Sequence, residues 1–487
     1  MLIAIPILVP LAAAGVSVML LRRPLAQRSL SVVSLSVVLA ATARLLAQVR
    51  VEGTSVLQVG AWPAPFGITL VADPLAAIML TVSAVVLLVV LLYAIGHPTT
   101  RDETRAFHAV YLVLAAGVSA SFLAGDLFNL FVAFEVMLIS SYVLITLGGT
   151  LAQVRSGMTY MVISLLASTL FIATVGIVYA STGTVNLADL VDRVGGLPPG
   201  LRTGVGLLLL IVFGVKAAIF PLFMWLPDAY PTAAAPITAV FAGLLTKVGV
   251  YAMIRTQTLL FVDLGTPSPL LLVIAGATMV VGVLGAIAQD DIKRILSFQI
   301  ISQIGYMVMG LGLLTVAGLA GGIFYIVHSI LVKTGLFLVG GMVEQRTGTA
   351  ALRDLGGLGQ RTAVTAVLFA ALALSLAGFP PLSGFVAKLS LVQAGLDVDQ
   401  GAIVAVSLAV SVLTLFSMSK VWNSAFWGQA PEATDHQDVP RSMTATTVAV
   451  VVATVAVAVS AGPLVDLSVE AAHALEPARY VEAVLPR

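Results

Sequence analysis

Runs of about 20 apolar residues, the length that crosses a bilayer core, follow one another along this chain with only short polar breaks between them. They predict membrane-spanning helices near residues 2–21, 30–47, 73–95, 107–125, 127–147, 158–181, 205–225, 234–255, 268–288, 295–314, 317–343, 362–394, 402–427 and 444–464. Strands of a membrane barrel would alternate in polarity over about 10 residues, and the segment AVVLLVVLLYAI at 84–95 does not alternate. The expected fold class is an all-α integral membrane protein of about 14 transmembrane helices.

Composition agrees: 59% of the 487 residues are hydrophobic and 10% are charged, against about 25% charged in a soluble domain. The net charge of +1 gives no electrostatic case for a nucleic-acid partner. Cysteine is absent, which excludes disulfides, iron–sulfur ligation and thiolate zinc sites. No P-loop, dinucleotide-binding fingerprint or H-E-x-x-H motif occurs, so no cofactor and no metal site is expected. The first apolar run carries its positive charges after it and not before it, and reads as a retained helix.

An even number of spans places both termini on one side. The loops then assigned to the cytoplasm hold Arg22, Arg23, Arg28, Arg101, Arg105, Arg155, Lys293, Arg294, Arg346, Arg353, Arg361 and Arg441. The opposite loops hold Arg50, Arg193, Arg202, Arg255, Arg479 and Arg487. Excess positive charge marks the cytoplasmic side, so both termini are expected outside. No segment between spans is long enough for a domain of its own; 52–67 suits a small hairpin and 184–194 a short surface helix.

Two spans are interrupted. In VKAAIFPLFMWLP, Pro221 breaks the helix just past Lys216. In LSLAGFPPLSGFVAKL, Gly378, Pro380, Pro381 and Gly384 fall close together and free the carbonyls of Leu376 and Ala377. Paired interrupted helices in two halves of a chain point to an inverted-repeat transporter with its path at the interruption.

Of the acidic residues, Glu135 alone maps near the centre of a span. Arg44 and Lys420 lie close enough to helix ends to reach the interface, which leaves Lys216, Lys247, Lys333 and Lys388 deep. Each deep lysine costs about 2.5–3.5 kcal/mol to insert, about 10–14 kcal/mol for the set, a burden out of proportion to any gain in packing. A buried amine tends to lose its proton and a nearby carboxylate restores it, so a carboxylate–lysine contact that opens and closes can switch a proton. A contact between Glu135 and Lys216 would hold the lysine charged, and its opening would release the proton toward Lys247. His328 and Lys333 share a span but point about 140° apart at five residues' separation, which suits successive relay positions with Ser329 as a hydroxyl neighbour. His97, His108, His436 and His473 lie in or near loops without metal-ligand spacing. Lys-x-Gly occurs in both TKVGVY and VKTGLF.

The stretches DLFNLFVAFEVMLISSYVLI, VKAAIFPLFMWLPDAYPTAAAPITAVFAGLLTKVGVYAMIR, SILVKTGLFLVGG and GFPPLSGFVAK resemble the antiporter-like subunits shared by respiratory complex I and Mrp-type Na+/H+ antiporters. The resemblance covers about residues 107–427. It is greatest to the MrpD branch of the Mrp type, where lysine at 388 fits better than the glutamate of one complex I relative. It implies an N-terminal three-helix segment (1–106), two inverted five-helix repeats (107–257 and 268–427), and a last helix with an external tail (428–487). It also implies a proton relay through Glu135, Lys216, Lys247, His328, Lys333 and Lys388, and a hetero-oligomeric complex in a bacterial cell membrane beside the A and C subunits. Such complexes let protons in to expel sodium and do not hydrolyse ATP. A proton-pumping subunit of complex I (NADH:quinone oxidoreductase) or of a membrane-bound hydrogenase is the alternative. One mid-membrane carboxylate among lysines is a poor sodium site, so sodium is expected to cross elsewhere.

Overall fold

The computed structural model describes residues 1–97, 103–261, 265–429 and 438–485, with the side chains of residues 103 and 104 outside that set. Arg101, His436 and Arg487 therefore lie outside the described residues.

Thirteen helices among the described residues are long and apolar enough to cross a membrane. They are α1 (Leu2–Met19), α2 (Pro24–Glu52), α3 (Pro74–Gly96), α4 (Glu103–Leu123), α5 (Leu127–Thr146), α6 (Leu151–Thr182) and, after the short α7 (Leu187–Gly195), α8 (Pro199–Ala217) and α9 (Ala235–Phe261). The series continues with α10 (Pro269–Ile287), α11 (Ile292–Leu313) and α12 (Val316–Thr347). A fourteenth crossing is divided into α13 (Ala363–Ala377) and α14 (Ser383–Leu396), and α15 (Gly401–Trp427) and α16 (Arg441–Val459) complete the bundle. The expected fold class and helix number hold, and the expected boundaries shift by a few residues.

Segment 52–67 does contribute to a hairpin, with β1 (Ser55–Gln58) antiparallel to β2 (Thr69–Ala72). Asn186 caps α7, which buries Leu187, Ala188, Leu190 and Val194 as an amphipathic surface helix does. The segment after α16 is no free tail. Ser460 turns the chain into α17 (Ala461–His473), and α18 (Pro477–Val484) follows with Tyr480 and Val484 buried. The most apolar stretches of α9 and α12 are wholly buried and that of α11 almost so. These helices are apolar on most sides, and protein rather than lipid surrounds them.

The two halves repeat in detail. Both α6 and α12 are 32 residues long, start on a threonine cap (Thr150, Thr315) and end on a left-handed glycine (Gly183, Gly348). The segments Thr182–Gly183–Thr184 and Thr347–Gly348–Thr349 make the same side-chain turn. After them, Val185 accepts from Leu127 N and Ala350 from Ile292 N, both at 2.9 Å. Between Leu127 and Ile292 the chain crosses through α5, α6, α8, α9 and α10. An odd number of crossings puts these matching loops at opposite faces, so the second half is inverted with respect to the first.

Two charges expected in loops are buried instead. Arg255 is 2% exposed and binds both oxygens of Asp73, the cap of α3. Its guanidinium lies between the rings of Tyr251 (5.2 Å) and Tyr480 (5.3 Å), so α18 closes over the pair. Lys293 sits in the first turn of α11, 7% exposed, with Glu344 at 2.6 Å. In each case the helix extends further than the apolar run, and an acid from another element repays the desolvation. Lys420 reaches the carbonyls at the end of α10 and Asp290, as a lysine near an interface should, whereas Arg44 is exposed on α2.

Candidate functional site

Both helix breaks are present. Helix α8 ends at Ala217, where Ala218 turns left-handed (φ 60°), and Pro221 lies in the irregular stretch before Leu226. The Val215 carbonyl, which accepts from Ala218 N at the helix end (3.2 Å), also accepts from Trp225 Nε1 at 2.9 Å. Gly378 (φ 90°), Pro380 and Pro381 separate α13 from α14. Of the carbonyls expected to be freed there, that of Ala377 accepts from Lys388 Nζ at 3.0 Å. A broken helix has thus presented a backbone dipole to a buried ammonium.

The expected Glu135–Lys216 ion pair is not made: the two side chains do not approach within 4.0 Å and are linked only indirectly. Ser168 of α6 stands between the two. Its hydroxyl donates to Glu135 Oε1, and Lys216 Nζ donates to Ser168 Oγ at 3.2 Å and to the Ser164 carbonyl at 3.3 Å. The Lys216 ammonium also lies 5.9 Å from the Phe134 ring centroid. Lys216 is 8% exposed, whereas Glu135 is only half-buried in this chain. The bridging serine had no signal of its own in a helix of many hydroxyls.

The remaining candidates form a second cluster. Lys247 and Lys333 are 0% exposed, as is His328, and Lys388 is 7% exposed. Lys333 lies within electrostatic range of both Lys247 and Lys388, and His328 within range of Lys333 and Lys388. Lys247 follows a π-helical turn (Phe241–Leu245) and donates back to the Ala242 carbonyl within it. His328 Nδ1 shares a 2.9 Å hydrogen bond with Ser383 Oγ, which lies 3.2 Å from Ser375 Oγ across the second break. Lys388 Nζ stands 4.9 Å from the Tyr306 ring, Tyr306 stacks on Tyr325 (5.0 Å, 5°), and Tyr325 bonds Gln303. His328 thus bonds to the broken helix through Ser383, while Lys333 lies in range of Lys247 on one helix and Lys388 on another.

Lys333 Nζ, His328 Nε2, Ser329 Oγ, Thr246 Oγ1 and Gln299 Nε2 are buried without a hydrogen-bond partner in the protein. Such a concentration of unsatisfied polar groups is costly for packing and ordinary for a hydrated path. The two clusters meet through backbone. A Cβ on Gly249 would lie 2.6 Å from Ala217 N and 3.0 Å from the Lys216 carbonyl carbon, and one on Gly335 2.8 Å from Leu372 of α13. Each Lys-x-Gly therefore sets a lysine-bearing helix tightly against a broken helix. No His/Cys/Asp/Glu cluster among the described residues could hold a metal ion.

Buried lysines gathered at broken helices inside an apolar bundle define a membrane subunit that handles protons or ions within the bilayer. Residues 124–414 match the family described as NADH:quinone oxidoreductase/Mrp antiporter, transmembrane, and the chain belongs to it. It is 44% identical to the D subunit of the Na(+)/H(+) antiporter of Alkalihalophilus pseudofirmus, over 99% of both chains. A chain in the structure of the Mrp complex from Dietzia sp. superposes with a TM-score of 0.92 at 34% identity, over 99% of both. A chain of the membrane-bound sulfane sulfur reductase, an archaeal respiratory membrane complex, gives 0.90 at 26% identity, again over 99% of both.

Proposed function

We propose that the chain is the proton-translocating D subunit of a multisubunit Mrp-type Na+/H+ antiporter, and that it conducts protons through Glu135, Lys216, Lys247, Lys333, His328 and Lys388. The observation that carries the reading is the Glu135–Ser168–Lys216 bridge: a half-buried carboxylate and a buried ammonium held apart by one hydroxyl. When Ser168 turns, the carboxylate and the amine lose their connection, and the amine is left to give its proton away. Lys247, Lys333, His328 and Lys388 act as a coupled set, since Lys333 lies within electrostatic range of Lys247 and Lys388, and His328 within range of Lys333 and Lys388.

The two repeats, 107–257 and 268–427, each supply one broken helix, and the N-terminal three helices (1–106) and the segment 428–487 brace them. The protein works as a transporter subunit rather than as an enzyme, in a hetero-oligomeric membrane complex of a bacterial cell membrane. The A and C subunits are its proposed neighbours and both termini are external. Sodium crosses elsewhere in the complex, because buried lysines outnumber the single carboxylate, Glu135, along the proposed path.

Glu135→Ala and Lys216→Ala, each in the assembled complex, test the reading in everted vesicles. Sodium-dependent proton flux should be lost while the complex still co-purifies. Normal antiport in either variant would overturn it, and co-purifying flavin and iron–sulfur proteins would favour the redox-driven alternative.

A further inference from the structure

The repeat extends to a polar stripe, of which the relay uses only Ser168 and Lys333. Helix α6 reads Tyr160–x3–Ser164–x3–Ser168–Thr169, and α12, at the constant offset set by the Thr-Gly-Thr turns, reads Tyr325–x3–Ser329–x3–Lys333–Thr334. Positions four apart lie on one helix face. On α6 this face is inward, with Tyr160 5%, Ser164 3% and Ser168 5% exposed.

Each rung has a partner. Ser168 touches Glu135 and Lys216, and the Ser164 turn receives Lys216 Nζ. The Tyr160 hydroxyl is 2.8 Å from Ser141 Oγ and faces the Ser164 side chain. Beyond it, Trp225 packs on Tyr160 (5.0 Å) and on Tyr230 (5.6 Å), whose own hydroxyl is buried without a partner. The stripe thus runs from the Glu135–Lys216 bridge toward the end of the membrane where α6 begins. Because the repeat is inverted, its counterpart on α12 runs toward the opposite end.

Resting on the relay reading above, we propose that Tyr160 and Ser164 are relay residues that join Lys216 to the face of the membrane at which α6 begins. The Lys216 ammonium gives up one proton and becomes a neutral amine. Turning from the Ser164 carbonyl to the Ser164 hydroxyl, the lysine hands over that proton; the Ser164, Tyr160 and Ser141 hydroxyls each take a proton on an oxygen lone pair and release the one they held, the last to water at that face, so none retains charge. Lys216 is recharged from the Glu135 side through Ser168.

Tyr160→Phe is the informative variant, since it removes one oxygen and keeps the ring on Trp225. Measured in everted vesicles of the intact complex, its proton turnover should fall on the order of 100-fold, the low end for a positioned proton-transfer group. The sodium concentration for half-maximal rate should stay unchanged, with a larger solvent deuterium effect on the residual rate. Ser164→Ala should weaken flux in the same way, and Tyr179→Phe, on the exposed face of the same helix, should have no effect. Wild-type turnover in Tyr160→Phe would overturn the proposal. Glu135→Gln separates the two readings: if it is inactive while Tyr160→Phe is normal, only the stripe fails, and if it is active the relay itself fails.

Discussion

Gly249→Ala tests whether a backbone contact, and no charge, sets the position of Lys216. The new methyl carbon would stand 2.6 Å from Ala217 N, where ordinary contact begins at 3.4 Å. The gap must open by roughly 0.8 Å, and because the obstructing atoms are backbone, no side-chain rotation relieves it. The strain amounts to about 1–3 kcal/mol, the usual cost of overpacking. The larger effect is on position, since the end of α8 moves with the peptide of Lys216 and shifts its ammonium relative to Ser168. A displacement near 1 Å costs on the order of 100-fold in rate where geometry is exacting. Sodium-driven proton movement, followed with a pH-sensitive dye in everted vesicles, should therefore fall steeply although every titratable group remains. Gly340→Ala is the matched control in a wholly buried helix, because its nearest neighbour, Ile292 Cγ2, is 3.5 Å away. Wild-type flux in Gly249→Ala, with the complex assembled, would refute the positioning argument. Loss of assembly would be read from co-purification, and Gly249→Ala would then be assayed in complex assembled at lower temperature.

Three further outcomes follow from the same contacts. Lys388→Glu should keep part of the flux and Lys388→Leu none, because a protonated carboxyl can donate to the Ala377 carbonyl and a leucine cannot; equal loss in both would show that the positive charge itself is needed. Asp73→Asn should lower stability by about 3–5 kcal/mol, the cost of stranding a buried guanidinium, seen as a fall in the melting temperature of the purified complex with α18 released to protease. Burial pushes the Asp126 carboxyl, which caps α5, up to about 6. The folded state then holds more proton than the unfolded chain between about pH 4 and 6, so stability falls across that window and is flat above it, by about 3 kcal/mol in all. Asp126→Asn should remove that pH dependence in melting curves while keeping the cap to Asn129 N.

Much of this molecule can be read from sequence alone, because a bilayer makes two requirements absolute. Apolar length fixes where helices cross, and the cost of charge in hydrocarbon makes every deep lysine conspicuous; so the helix number, both breaks, and Glu135, Lys216, Lys247, Lys333 and Lys388 stand out from one chain. Proline and glycine at 221 and 378–381 mark the breaks because their backbone chemistry is local. Tertiary structure decided what each charge meets. That Ser168 separates Glu135 from Lys216, that Asp73 neutralises Arg255 and Glu344 neutralises Lys293, and that Gly249 carries the end of α8 all depend on helices distant in sequence. Helical periodicity says which residues share a face but not which neighbour that face will find, and a serine costs too little in a membrane helix to announce its role.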